Sequence, residues 1–140
     1  GPDPLRPDAD PALAWRRIVK SRRPIGALLM DQTVIAGVGN VYRSELLFRH
    51  RVNPFRPGTT MTSDEFMDMW TDLVGLMKVG VRKIVVVEAE HDHGAPSYRP
   101  GRPRTYVYRR GGEPCRVCAT SVRTVQLEAR NLFWCPTCQS

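Results

Sequence analysis

Two cysteine pairs, Cys115-x2-Cys118 and Cys135-x2-Cys138, stand sixteen residues apart and constrain this chain more than any other feature in it. Two residues between thiols let both sulfurs grip one ion from a tight knuckle, and the insert is long enough for two strands and a turn. The spacing fits a tetrahedral four-cysteine zinc site, in preference to two redox pairs or free structural thiols. Four protein ligands leave no position for water, so such a zinc builds structure and performs no hydrolysis. Its binding is worth on the order of 10–16 kcal/mol at neutral pH, far beyond what a hairpin of roughly 25 residues gains by burial.

The remaining residues predict helices. At 140 residues the chain suits one domain or two small ones. Residues 1–10, rich in Pro and Asp, read as an extended linker. Asp10 as N-cap with Pro11 at the first helical position opens a helix that turns Leu13 and Ile18 away from a basic face and ends before Pro24. IGALLM at 25–30 is a second apolar stretch, and Asn40 begins a helix with Val41, Leu46, Leu47 and Phe48 inward. The longest helix opens at Ser63 with Asp64 and Glu65, and its core face runs through Phe66, Trp70, Leu73, Met77, Val81, Ile84 and Val85. Met61, Met67, Met69 and Met77 read as packing rather than a soft-metal site. Residues 88–104 are a long connection, in which His91 and His93 read as solvent-exposed. TYVYRR at 105–110 alternates as a strand, and SVRTVQL with LFWC forms a hairpin turning through residues 128–131. The expected domains are therefore a linker at 1–10, a helical domain at 11–104 and a zinc hairpin at 105–140.

Charge narrows the class of partner. The 21 Lys and Arg outnumber the 14 Asp and Glu, and eighteen of the cations are Arg, whose planar fork suits phosphate. Residues 1–60 hold ten basic side chains against five acidic and residues 99–140 eight against two, whereas residues 61–98 hold three against seven. Two basic ends around an acidic middle point to a polyanion. No run approaches the roughly 18–20 apolar residues of a membrane span, and GPDPLRPDADP has no apolar signal region. The expected location is intracellular, in cytoplasm or nucleoid for a bacterial source, where thiols favour metal over disulfides.

GVGNVY at 37–42 is not a dinucleotide loop, because Tyr42 stands where its third glycine is due. Gly37 and Gly39 expose backbone at a tight turn that feeds the helix at Asn40. Its unpaired first-turn N–H groups make such a corner a phosphate site, unless Asn40 merely caps its own helix. His50 reads as a helix-end residue favoured by the dipole.

Together, LLMDQTVIAGVGNVYRSELLFRHRVNP (28–54) and GGEPCRVCATSVRTVQLEARNLFWCPTCQ (111–139) resemble the formamidopyrimidine-DNA glycosylase and endonuclease VIII family. The resemblance implies a mainly α fold, a helix-two-turns-helix DNA-binding domain followed by a four-cysteine zinc-finger β-hairpin. It implies that Asn40 and Arg130 hold DNA phosphate, with Gly37 and Gly39 at the same corner, and that Cys115, Cys118, Cys135 and Cys138 hold one structural zinc. Gly26 stands where formamidopyrimidine-DNA glycosylases tend to carry lysine, and GEPC with Phe133-Trp134 looks more like endonuclease VIII, which leans towards oxidised pyrimidines. Family members open with Pro-Glu, the proline amine attacking the sugar and the glutamate moving protons. Here Gly1 comes first and Pro2 is followed by Asp3. The expectation is the DNA-gripping C-terminal half of a base-excision-repair glycosylase and AP lyase. Without the N-terminal catalytic domain it is expected to bind duplex DNA as a monomer, with no catalytic residues of its own. The alternative is a non-catalytic zinc-dependent module that binds nucleic acid or protein for regulation.

Overall fold

The computed structural model describes residues 1–80 and 105–140. Four helices come first, α1 (Pro11–Val19), α2 (Ile25–Leu28), α3 (Asn40–Arg49) and α4 (Ser63–Val79), with a 3-10 turn at Gly58–Thr60 before α4. An antiparallel pair follows, β1 (Arg123–Leu127) and β2 (Arg130–Trp134). Among the described residues no helix is long and apolar enough to cross a membrane.

The helix starts follow from local chemistry. Asp10 accepts from the Ala12 N–H, with Pro at the head of α1. That helix buries Ala14 and Ile18, whereas Leu13, expected inward, is 42% exposed. Thr62, one residue ahead of the expected start, caps α4 in a reciprocal box: its hydroxyl accepts from Glu65 N, and Glu65 accepts from Thr62 N. Phe66, Trp70, Leu73 and Met77 face the core as expected, while Val81, Ile84, Val85, His91 and His93 lie outside the described residues. Met61, Met69 and Met77 are buried core residues and Met67 packs against them, so the methionines are packing.

Residues 1–10 contain turns and lean on the loop before α3, with the Pro2 carbonyl accepting from Ala36 N. The start of α2 is laced to residues 54–58, since Ile25 N donates to Arg56 O and Gly26 N to Pro54 O.

Two apolar clusters meet at α3. The larger gathers Ile18, Leu28, Leu46, Leu47, Phe66 and Leu73, and takes in Leu132 from β2. The smaller joins Phe48 to Val107, Cys115, Val122 and Cys135. Seven of the ten residues of α3 are buried, including Arg43, Ser44 and Glu45, because the finger covers the face that helical periodicity assigns to solvent.

TYVYRR is not a strand. The N–H groups of Tyr106, Val107 and Tyr108 all point at the Glu45 carboxylate, at 2.5, 2.9 and 3.2 Å, which curls the chain where ladder pairing would extend it. The hairpin turn is also tighter than expected. Glu128 and Ala129 alone make it, both at positive φ (55° and 58°), and Arg130 and Asn131 belong to β2.

Candidate nucleic-acid interface and metal centre

The finger is built from two knuckles that face one another. Cys115 Sγ lies 3.9 Å from Cys138 Sγ and Cys118 Sγ 3.4 Å from Cys135 Sγ, and all four sulfurs fall within 4.8 Å of one another. Tetrahedral zinc with sulfur at about 2.3 Å spaces its ligands about 3.8 Å apart, so these four fit one ion. Backbone polarity supports the arrangement: Cys115 N donates to Thr120 O, Ala119 N to Cys115 O and Cys138 N to Cys135 Sγ. The Thr120 and Thr137 hydroxyls, 2.8 Å apart, join the knuckles.

Gln139 anchors the second knuckle to the helices. It is wholly buried, accepts from Cys135 N at 2.9 Å and donates to Val52 O at 3.0 Å. Nothing in its sequence setting marked it, because its role comes from contact with residues nearly ninety positions earlier.

The corner before α3 is shaped by Asp31 and Gly37. Asp31 accepts from the Thr33 hydroxyl and amide and from Arg23. The Thr33 hydroxyl and then Arg23 hold its carboxyl down at about 2. Gly37 sits at φ 83°, a conformation that suits glycine, and its N–H goes to Gln32 Oε1. Gly39 occupies the N-cap position of α3, and no side chain caps the helix. Asn40, one residue further in, therefore does not cap its own helix.

Instead, the Asn40 side chain crosses to the hairpin. Its Nδ2 donates to Asn131 O at 2.7 Å, and its Oδ1 accepts from Arg43 Nε and Nη2 at 3.1 and 2.6 Å. Arg43 in turn reaches Leu127 O at 2.8 Å and Arg130 O at 3.4 Å. Asn40 and the Arg130–Asn131 stretch are thus brought together from ninety residues apart. Arg130 is exposed. Arg23, bonded to both Asp31 and Glu128, ties the loop to the hairpin turn on the same side.

Gly26 lies under this seam. A Cβ there would stand 3.0 Å from Leu127 Cδ2 and from Pro54 O, so a longer side chain at that position would press on Leu127 and Pro54.

His50 ends α3 and pairs with Asp72 at 2.9 Å, alongside Arg49 at 2.7 Å. Burial raises the Asp72 carboxyl, but the Arg49 and His50 bonds outweigh it and leave the group below its ordinary value. This cluster links α3 to α4.

A glycine turn leading into α3, with a four-cysteine hairpin locked across that helix, defines a helix-two-turns-helix domain with a C-terminal zinc finger. The chain belongs to the formamidopyrimidine-DNA glycosylase and endonuclease VIII family: the formamidopyrimidine-DNA glycosylase H2TH domain matches residues 1–89, and the zinc finger found in FPG and IleRS matches residues 112–140. It is 71% identical to Endonuclease 8 1 of Mycobacterium tuberculosis over all of this chain and 53% of that protein. It is 37% identical to the formamidopyrimidine-DNA glycosylase of Geobacillus kaustophilus over 99% of this chain and 51% of that one. The chain thus spans about half the length of the curated relatives it matches. Among solved structures, MutM (Fpg) of Thermus thermophilus superposes with a TM-score of 0.75 at 36% identity, over 99% of this chain and 53% of that one. Lactococcus lactis Fpg, solved in complex with DNA containing an abasic site, shares the fold at 23% identity and a TM-score of 0.75, over 100% of this chain and 51% of that one.

Proposed function

We propose that these residues form the DNA-gripping half of a base-excision-repair glycosylase and AP lyase, holding duplex DNA by its phosphates while the lesion base is flipped elsewhere in the parent enzyme. The observation that carries this reading is the bond from Asn40 to the Arg130–Asn131 backbone, which joins an uncapped helix start to an exposed arginine. One Asn40 amide hydrogen, the first-turn N–H groups of α3 and the Arg130 guanidinium are the donors offered to phosphate. Gly37 and Gly39 let the backbone come close. Oxidised pyrimidines are the proposed lesion class. Phe133-Trp134, GEPC and the closed Gly26 position support the endonuclease VIII side of the family, and so does the name of the 71% identical relative.

These residues grip and do not cut, since the 140 positions contain no Pro-Glu pair. The partners are double-stranded DNA and an N-terminal catalytic domain, and the chain acts as a monomer. Duplex binding measured against salt tests the reading. With about three to five phosphates neutralised, log affinity falls with log salt at a slope of roughly −3 to −4.5. Binding that ignores salt would instead favour a protein partner or base readout.

A further inference from the structure

Arg43 is wholly buried and heads the fully sealed side chains by volume. Besides Asn40 Oδ1, its guanidinium donates to the carbonyls of Gly26, Leu127 and Arg130, and among the described residues it hydrogen-bonds no carboxylate. Burial lowers its pKa to about 10, with Glu128 opposing through space, so the group stays charged at neutral pH. A buried cation among neutral carbonyls is costly unless an anion comes near it. No side chain caps the first turn of α3, which Asn40 begins.

The network also fixes which way the Asn40 amide points. Only an oxygen can accept two guanidinium N–H bonds, and only a nitrogen can donate to Asn131 O, so oxygen and nitrogen have a single assignment. Of the two Nδ2 hydrogens, one is spent on Asn131 and one remains. Two of the other carbonyls that Arg43 holds, of Leu127 and Arg130, are the last register pair of the hairpin and flank the turn.

We propose that Arg43 is the positioning residue of the phosphate subsite: it holds the Asn40 amide with one N–H left to donate and fastens that amide to the zinc hairpin. The proposal rests on the reading of Asn40 and Arg130 as phosphate-gripping residues. Arg43 itself touches no phosphate. Lysine at this position keeps the charge but cannot serve four acceptors in a planar fork.

The test compares Arg43→Lys, Asn40→Ala and the double variant in the full chain, reading duplex affinity, its salt slope and zinc content. Arg43→Lys is expected to weaken binding about as much as Asn40→Ala, roughly tenfold, with one zinc retained and the slope unchanged. The double variant is expected to bind no more weakly than Asn40→Ala alone, because both changes remove the same oriented amide. Losses that multiply in the double variant, or wild-type binding by Arg43→Lys, overturn the proposal. A measurement on the unmodified chain guards against a variant that sheds its zinc: the Arg43 Nε–H proton should exchange slowly with water at neutral pH, and it should shift together with the Asn40 side-chain amide when duplex is added. Rapid exchange, or a shift of neither signal in a chain that binds DNA, also overturns it. If Asn40→Ala and Arg130→Ala both bind like wild type, the phosphate reading itself fails; if they weaken binding and Arg43→Lys does not, only the positioning role falls.

Discussion

Arg130 and Asn40 are proposed to act on the same phosphates by different means, and this separates their variants. Arg130→Ala removes a charge, so it should weaken all duplex sequences alike and flatten the salt slope by about one unit. Asn40→Ala removes none and should weaken binding at constant slope; titrations at four or five salt concentrations distinguish the two. Glu65 offers a prediction on stability. Arg56 grips its carboxylate at 2.6 and 2.7 Å and, as the largest cause, holds it at about 2 against an ordinary 4.5. A depressed carboxylate adds stability that is complete above about pH 4.5 and lost as pH falls towards 2. Protection of the first-turn amides of α4, measured against their intrinsic exchange rates at each pH, should therefore fall across that window in the wild type and hardly change in Glu65→Gln. At this scale the sequence revealed residues whose chemistry needs a fixed spacing, the cysteines above all. Arg43 and Glu45 were hidden, because polar residues on a helix face read as solvated until a distant segment covers them, and Gln139, in the turn of the second knuckle, because its partner Val52 lies far off in sequence.

The hairpin shows how an element can be legible while its turn is not. Alternation located both strands, but Glu128-Ala129 lacks the Asn-Gly or Asp-Gly signature that marks a two-residue turn with both φ positive. Packing imposes that conformation, with Arg43 holding the carbonyls on either side. Left-handed backbone costs a residue with a Cβ about 1 kcal/mol. Ala129→Gly should relieve part of this, raising stability by about 0.5–1 kcal/mol in thermal unfolding with zinc bound. The knuckles set a second expectation: Cys135→Ser should release the ion and disorder β1 and β2 while α4 persists. Native mass spectrometry checks the metal content, and amide exchange checks which element is lost. TYVYRR misled for a related reason, since its alternation is real but its amides belong to a carboxylate sixty residues away.

For the molecule as a whole, the prediction is binding without chemistry. Incubated with duplexes that carry an abasic site or an oxidised pyrimidine and then treated with borohydride, these 140 residues should yield no adduct beyond slow trapping by surface lysines. Adduct formation at the rate of a whole family enzyme would refute this. The Glu45 contact has a consequence for how the chain is made. A ribosome delivers α3 some sixty residues before Tyr106, and through that interval Glu45 has water in place of its three amide donors. Burial disfavours its charged form, and the arriving amides, with Arg49 acting through space, offset that only in part. The outer face of α3, with Arg43, Ser44 and Glu45, thus remains wet until the finger has been synthesised, so α3 is completed from the carboxyl end backwards. A chain stopped short of Tyr106 should display that face to solvent and to protease.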